Sequence, residues 1–381
     1  MGSITLDAPG TKRFRRQLTR VDLNVVLPFL SSALSFAFAI LVADQWVRRR
    51  QPYQLVWTIG LLWYGISAGT EFLGSAFGWN EPLYRVWYLV GAFGVAAYLG
   101  LGTVYLLNRT RFGYFVAVSF GLAGLFSLLT SVKYAREGIP ASDTVVLAVV
   151  GASLASALII AAVTRFRRRW IGHVTALILV SASAIVTVMS FTVPIAAPGY
   201  AIDEIGIPVG SAMPSDLRIL TPPFNIVGAF ALTFGAVYSA YIFMPKVRVL
   251  RVGSTLPVLG AAGRAVAVVV NFVASLPAAW RSLRAGTLNS RVPATILIAL
   301  GGFIPGWTSG LSRFGVTWSF FIGELAGVVL IFLGFLVSIE VFSDLRLPFT
   351  RIILRRRDAA VDADPRATRT GDALTPRRAV E

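Results

Sequence analysis

The sequence contains no cysteine, a single histidine (His173) and only three lysines, Lys12, Lys133 and Lys246, among 381 residues. Without cysteine there is no disulfide, thiol nucleophile or thiolate metal site, and cysteine usage says nothing about the redox compartment. One histidine excludes a multi-histidine metal centre and bis-histidine haem ligation within the chain. The lysines bear on retinal-type bundles, because a buried Schiff base needs a lysine inside the helices. All three lie outside the apolar stretches, so that reading fails. There is no phosphate-cradling G-x-x-x-x-G-K-[ST] loop and no H-E-x-x-H pair, and no nucleophile elbow is expected. With the usual nucleophile–base sets missing, the chain reads as non-enzymatic, with neither a metal nor a cofactor.

Charge is scarce too, at 14% of residues, against 56% hydrophobic residues and a mean hydropathy of +0.72. Such a chain has lipid as its main solvent. Its net charge of +17 would suggest nucleic acid in a soluble protein. Here the arginines cluster beside apolar runs, which points to anionic lipid headgroups and not to nucleic acid.

A helix needs about 20 apolar residues to cross the hydrocarbon core. Nine stretches approach that length: 23–47, 55–78, 83–107, 112–132, 144–164, 171–195, 224–244, 294–311 and 316–342. They are too long and too uniformly apolar for tilted barrel strands. The expected fold is therefore all-α, a polytopic bundle of about nine spans divided as seven plus two. Residues 1–22 form a basic tail, 23–244 the seven-span bundle and 245–293 a basic insertion. Residues 294–345 hold the last two spans, and 346–381 a basic tail with little from which to build a core.

Arginines follow the first, third, fifth and seventh stretches, as "RRR" (48–50), "NRTR" (108–111), "RFRRR" (165–169) and "PKVRVLR" (245–251). The positive-inside rule then puts those connections and the C-terminus in the cytoplasm, and the N-terminus outside. "KRFRR" (12–16) disagrees with that assignment. The same region also imitates a secretory signal, with "AFA" (37–39) as a loose cleavage pattern, but an uncleaved first span fits the downstream pattern better. Residues 261–286 hold an apolar run interrupted by Asn271, Ser275 and Pro277. They read as an interfacial helix on the cytoplasmic face, with Arg264, Arg281 and Arg284 meeting headgroups. Arg48, Arg49, Arg50, Arg165, Arg167, Arg168 and Arg169 are the other expected headgroup contacts.

Few charged groups fall within the spans. Asp44 and Glu340 lie near cytoplasmic ends and read as structural, and His173 reads as an interfacial side chain beside Trp170. Glu324 sits about 12 Å inside the outer end of the ninth stretch, and Glu71 up to two turns below the outer end of the second. Intramembrane carboxyls face a bundle interior, a cavity or a partner. Around Glu71, helical spacing places Tyr64, Ser67, Ala68, Gly74, Ser75 and Gly78, a face small enough for close helix contact. Arg85, across "WNEP", is expected to turn down and neutralise Glu71, and Glu324 lies nearby unless it pairs with Arg313. Tyr84, Trp87 and Tyr88 crowd the same edge, as an aromatic belt or as the lining of a ligand site. Segment 196–223 is long enough to roof such a site, and carries Asp203, Glu204 and Asp216.

"LYRVWYLVGAFG" (83–94), "LTPPFNIVGAFALTFGAVYSA" (220–240) and "GELAGVVLIFLGFLV" (323–337) resemble uncharacterised bacterial polytopic membrane proteins. The resemblance implies a helix bundle and brings no activity or catalytic residue with it; the excess of arginine over lysine suits a bacterial source of high GC content. The leading expectation is a plasma-membrane receptor-like or ligand-binding bundle, with a small molecule or a protein as unknown partner. A transporter or channel using Glu71 and Glu324 is the alternative, and a lipid-acting enzyme comes third.

Overall fold

A computed structural model describes residues 23–196, 199–202, 208, 210–251, 257–312, 319–338, 344–346, 348–350 and 353–356. Residues 1–22, Asp203, Glu204, Arg313, Glu340, the side chain of Arg264 and the tail beyond 356 lie outside the described residues. The described chain runs α1 (Leu23–Arg49), α2 (Pro52–Phe77), α3 (Glu81–Leu89), α4 (Val95–Leu106), α5 (Gly113–Arg136), α6 (Asp143–Phe166) and α7 (Ile171–Thr192). There follow the short α8 (Ser215–Arg218), then α9 (Thr221–Phe243), α10 (Pro257–Arg284), α11 (Arg291–Ser312) and α12 (Ser319–Val337). A small antiparallel hairpin, β1 (Asp344–Arg346) and β2 (Ile353–Arg356), completes an otherwise all-α fold. Helices dominate because apolar backbone in lipid must satisfy its own hydrogen bonds.

Short connections make the long helices antiparallel neighbours. Ser32 of α1 donates a 2.8 Å hydrogen bond to the Gly65 carbonyl of α2, and Trp57 of α2 donates to the Leu99 carbonyl of α4 at 3.1 Å. Residues 90–94, joining α3 to α4, form a π-helical turn. Helices α4 and α9 run in the same direction and touch through glycine: a Cβ on Gly100 would strike the Gly228 carbonyl, and one on Gly228 the Ala96 carbonyl. A core of Phe38, Trp57, Leu61, Leu99, Leu232, Ile298, Val328 and Phe335 is shared among α1, α2, α4, α9, α11 and α12.

Among the described residues, nine helices are long and apolar enough to cross a membrane, and the set differs from the sequence expectation at two places. Helix α2 is not among them, although it is 26 residues long. Its buried Gln54, Thr58, Ser67, Thr70 and Glu71 lower its hydropathy while facing protein, not lipid. Residues 266–284 of α10 do qualify. Yet α11 begins at the end where α9 stops: Val292 packs on Ala240 and Met244, and Gly302 lies against Leu232 and Thr233. The connection carrying α10 therefore leaves and returns at the same end of the bundle. Asn271 and Ser275, which interrupt its apolar run, bind the chain that leads into it. Asn271 Oδ1 accepts from the Val249 and Leu250 amides at 2.8 and 2.9 Å, and Ser275 Oγ accepts from the Val247 amide at 2.9 Å.

The hairpin docks at this end too. Asp44, almost fully buried, takes Arg48 in a two-point ion pair and accepts from the Phe349 amide at 2.8 Å, while Arg48 donates to the Thr350 carbonyl at 2.9 Å.

Candidate functional site

Glu71 lies six residues before the end of α2, about 9 Å below it at the rise of an α-helix. Its side chain is buried, and Oε1 accepts a 2.9 Å hydrogen bond from the indole N–H of Trp87. The carboxyl of Glu324, five residues into α12, meets that of Glu71 in hydrogen-bonding contact. Its Oε2 is closed off from solvent. Tyr64, about two turns below Glu71, donates to the backbone carbonyl of Glu324 at 2.7 Å and so ties α2 to α12. An ionised carboxylate can only accept hydrogen bonds, so a bond between two carboxyls requires a proton on one of them. Two like charges in contact inside a bundle cannot both be ionised without a cation between them.

Arg85 is engaged elsewhere. Its guanidinium bonds to Glu81 at 2.8–2.9 Å and donates to the carbonyls of Ser190 and Val193 at 2.6 and 2.9 Å. Those carbonyls are at the C-terminal end of α7, where helical acceptors lack an intrahelical donor and a cation is favoured. The Glu71–Arg85 pair expected from chain proximity thus divides into two separate assemblies. Sequence spacing could place Arg85 near the outer edge, but the competing acceptors on α7 are about 105 residues further along the chain.

Above the carboxyls the aromatic groups form a connected layer. Trp79 and Trp87 meet edge to face at 6.0 Å, Trp87 lies 5.9 Å from Tyr84, and Tyr84 stacks on Tyr200 at 4.6 Å. Tyr84 and Tyr88 are buried together with Ala212, Met213 and Leu217, so this part of the chain before α9 packs on α3. A partly open cavity of about 50 Å³ lies elsewhere, between α4, α5, α7 and α9, lined by apolar groups including Leu101, Phe120, Ile178 and Val227. Asp216 does not join the site; it accepts from the Ser142 amide at 2.6 Å and holds the turn between α5 and α6.

"GISAG" (65–69) does match the spacing of a nucleophile elbow, contrary to the expectation that none occurs. It lies within α2, whereas an elbow needs a sharp strand-to-helix turn. Ser67 is buried against Gly91, and His173 contacts Tyr105 at the opposite end of the bundle, so the match supplies no nucleophile–base pair.

Of the expected headgroup arginines, Arg48, Arg50, Arg165, Arg167, Arg168, Arg169, Arg281 and Arg284 are exposed, at the end of the bundle where α9 stops, and Arg49 is half-buried. Arg284 lies over Trp280 at 5.1 Å and Arg50 over Trp46 at 5.1 Å, the amphipathic pairing suited to an interface. Arg48 is committed to Asp44 and Thr350. No group of three or more histidine, cysteine or acidic residues able to hold a metal occurs among the described residues. Comparisons with family models, curated proteins and solved structures gave no match, so the arrangement of Glu71, Glu324, Trp87 and Tyr64 stands on its own geometry.

Proposed function

We propose that this multi-pass membrane protein is a carrier whose movement is coupled to protonation of the Glu71–Glu324 pair. The observation that carries this reading is the contact between two carboxyls in the interior of the outer half of the bundle. A protonatable group in a membrane bundle is a functional element by default, because ionised side chains are strongly disfavoured there. The π-helical turn at 90–94 supports it, since such turns recur at functional sites and this one lies one turn below Trp87. Helix α3, held to α7 by Arg85, can pivot there against α4, which Gly100 holds to α9. That motion would carry the Trp87 N–H toward or away from Glu71.

The test is proton movement in liposomes containing the purified protein and an enclosed pH dye. Alkali cations, amino acids, sugars and organic cations are supplied outside in turn. At least one solute class is expected to drive proton flux, falling at least about tenfold in folded Glu71→Gln and Glu324→Gln variants, as when an essential acid–base group is removed. Wild-type flux in both variants, or no flux with any solute, would sink the reading. A receptor-like role draws support from the Tyr84–Tyr200 stack, which links the outer segment to Trp87 and hence to Glu71. It predicts a change in tryptophan fluorescence on adding a solute with no transport of it.

The arginine-rich end is assigned to the cytoplasmic face of a bacterial plasma membrane, with α10 lying on that face and its basic residues on anionic lipid. The cysteine-free chain allows this to be read by single-cysteine labelling with an impermeant reagent in intact cells. A cysteine at position 205 should label, and cysteines at 167, 262 and 286 should not. Labelling at 167 but not 205 would invert the assignment, and labelling at only one of 262 and 286 would make α10 a span.

A further inference from the structure

Two buried hydroxyls on α1 are unaccounted for. Ser31 and Ser35, one turn apart on α1, are fully buried, and neither Oγ has a hydrogen-bond partner among the described residues. Serine and threonine inside helices commonly bond back to their own helix, as Thr58, Ser119 and Thr164 do here with carbonyls four residues earlier. Ser31 and Ser35 do not, so their oxygens remain available.

Their level in the bundle follows from contacts on either side. Leu27 of α1 packs on Phe321 of α12, and Phe38 lies 4.9 Å from Phe332 and 5.0 Å from Phe335. The two helices therefore run in the same direction, in a register that sets Ser31 level with Glu324 and Ser35 one turn further in. On the other side, Phe29 packs on Phe72 at 5.3 Å, and Ser32 reaches the Gly65 carbonyl and lies against Gly69, so Ser31 lies just below Glu71 of α2 and Ser35 about a turn below that. Below the serines, Phe38, Trp57, Leu61 and Phe335 close the interior.

We propose that Ser31 and Ser35 complete, with Glu71 and Glu324, an oxygen-only site for sodium ion that exchanges one for one with the shared proton. This rests on the reading of the carboxyl pair as the protonation site. Hard oxygen donors select alkali and alkaline-earth cations over transition metals, which prefer nitrogen or sulfur. Calcium takes six to eight oxygens and magnesium keeps several waters. Four side chains, with one carboxylate oxygen already held by Trp87, offer fewer oxygens than calcium takes, and a monovalent ion keeps the charge of the pair at −1. Charge balances under the exchange: two carboxyls with one proton carry −1, and two carboxylates with one sodium ion also carry −1. The proton released goes to bulk water.

The experiment uses the full-length protein in lipid nanodiscs in weak buffer with a pH indicator. Sodium chloride is added, with choline chloride as control, after an acid–base titration of the same sample. Wild type should titrate at the site, release a proton on sodium addition and not on choline addition, and bind ²²Na. The double variant Ser31→Ala with Ser35→Ala should keep the titration but need at least about tenfold more sodium for release, since two ligand oxygens are gone. Removal of unpartnered hydroxyls leaves folding intact, and an unchanged melting temperature is part of the expected result. Glu71→Gln should lose the sodium-linked release and titrate at a different pH, since Glu324 then ionises without a carboxyl neighbour. A wild type that titrates but neither binds ²²Na nor releases a proton overturns the sodium site and leaves the protonation reading standing. A sodium response unchanged in the double serine variant also overturns it. If wild type and Glu71→Gln titrate alike, the underlying reading falls as well.

Discussion

Replacing Gly228 with leucine is expected to abolish recovery of folded protein. Gly228 is where α9 meets the backbone of α4, and even a methyl group there would fall on the Ala96 carbonyl and the Ala97 amide. The neighbour is backbone, so no side-chain rotation relieves the clash; the helices must separate. Separation removes packing between α4 and α9 along Phe93–Phe224 and Thr103–Gly235. Overpacking commonly costs about 1–3 kcal/mol, and a four-carbon side chain against immovable backbone lies at the top of that range or above it, a large part of the stability of a typical domain. The expected measurement is loss of the monodisperse peak in detergent, with Gly228→Ala intermediate. Gly151→Leu is the control, because nothing lies within 4 Å of a Cβ there and leucine would face lipid. A Gly228→Leu protein that melts with wild type would mean that α4 and α9 do not approach in this way.

The second large effect separates two electrostatic arrangements. Were Glu71 and Arg85 an ion pair, the exchange Glu71→Arg with Arg85→Glu would be milder than either single change. The observed partners predict the opposite. Glutamate at position 85 would face Glu81 with like charge and withdraw the donors from the Ser190 and Val193 carbonyls. That loss is about 3 kcal/mol for acceptors left without partners in a closed site. Arginine at position 71 would meet the indole N–H of Trp87, another donor, in a space shaped for a carboxylate. Because the two sites share no partner, the losses should add, giving a double variant worse than both singles in thermal unfolding. Rescue by the exchange would restore the direct pair and displace Trp87 and Glu324 from the account.

Chain proximity does not choose the partner of Arg85. Short connections make sequence neighbours obvious candidates, and Glu71 lies only 14 positions before Arg85. A guanidinium, however, satisfies several acceptors in a fixed fork, and the frayed end of α7 presents two carbonyls beside Glu81. Which acceptors reach that place depends on how α7 packs against α3, and no local pattern encodes that. Ser31 and Ser35 are similar. On sequence they are ordinary small residues in an apolar helix, and only the register of α1 against α12 brings them level with Glu324.

The sequence by itself determined that this is an all-α membrane bundle, because nine apolar stretches, few charges and clustered arginines each follow from transfer into lipid. It also singled out Glu71 and Glu324, since an intramembrane carboxyl is rare enough to stand out whatever it touches. Only the tertiary structure decided which helices are enclosed. Helix α2 is more polar than the other long helices because it faces them, whereas α10 is apolar enough to cross a membrane yet its connection returns to the end it left. Hydropathy measures what a segment prefers as solvent, not which neighbours it has. The meeting of Glu71 with Glu324, some 250 residues apart, likewise depends on α2 and α12 becoming neighbours. The ring contact of Trp57 with Phe335 and the Tyr64 bond to the Glu324 carbonyl, not local preference, hold them together.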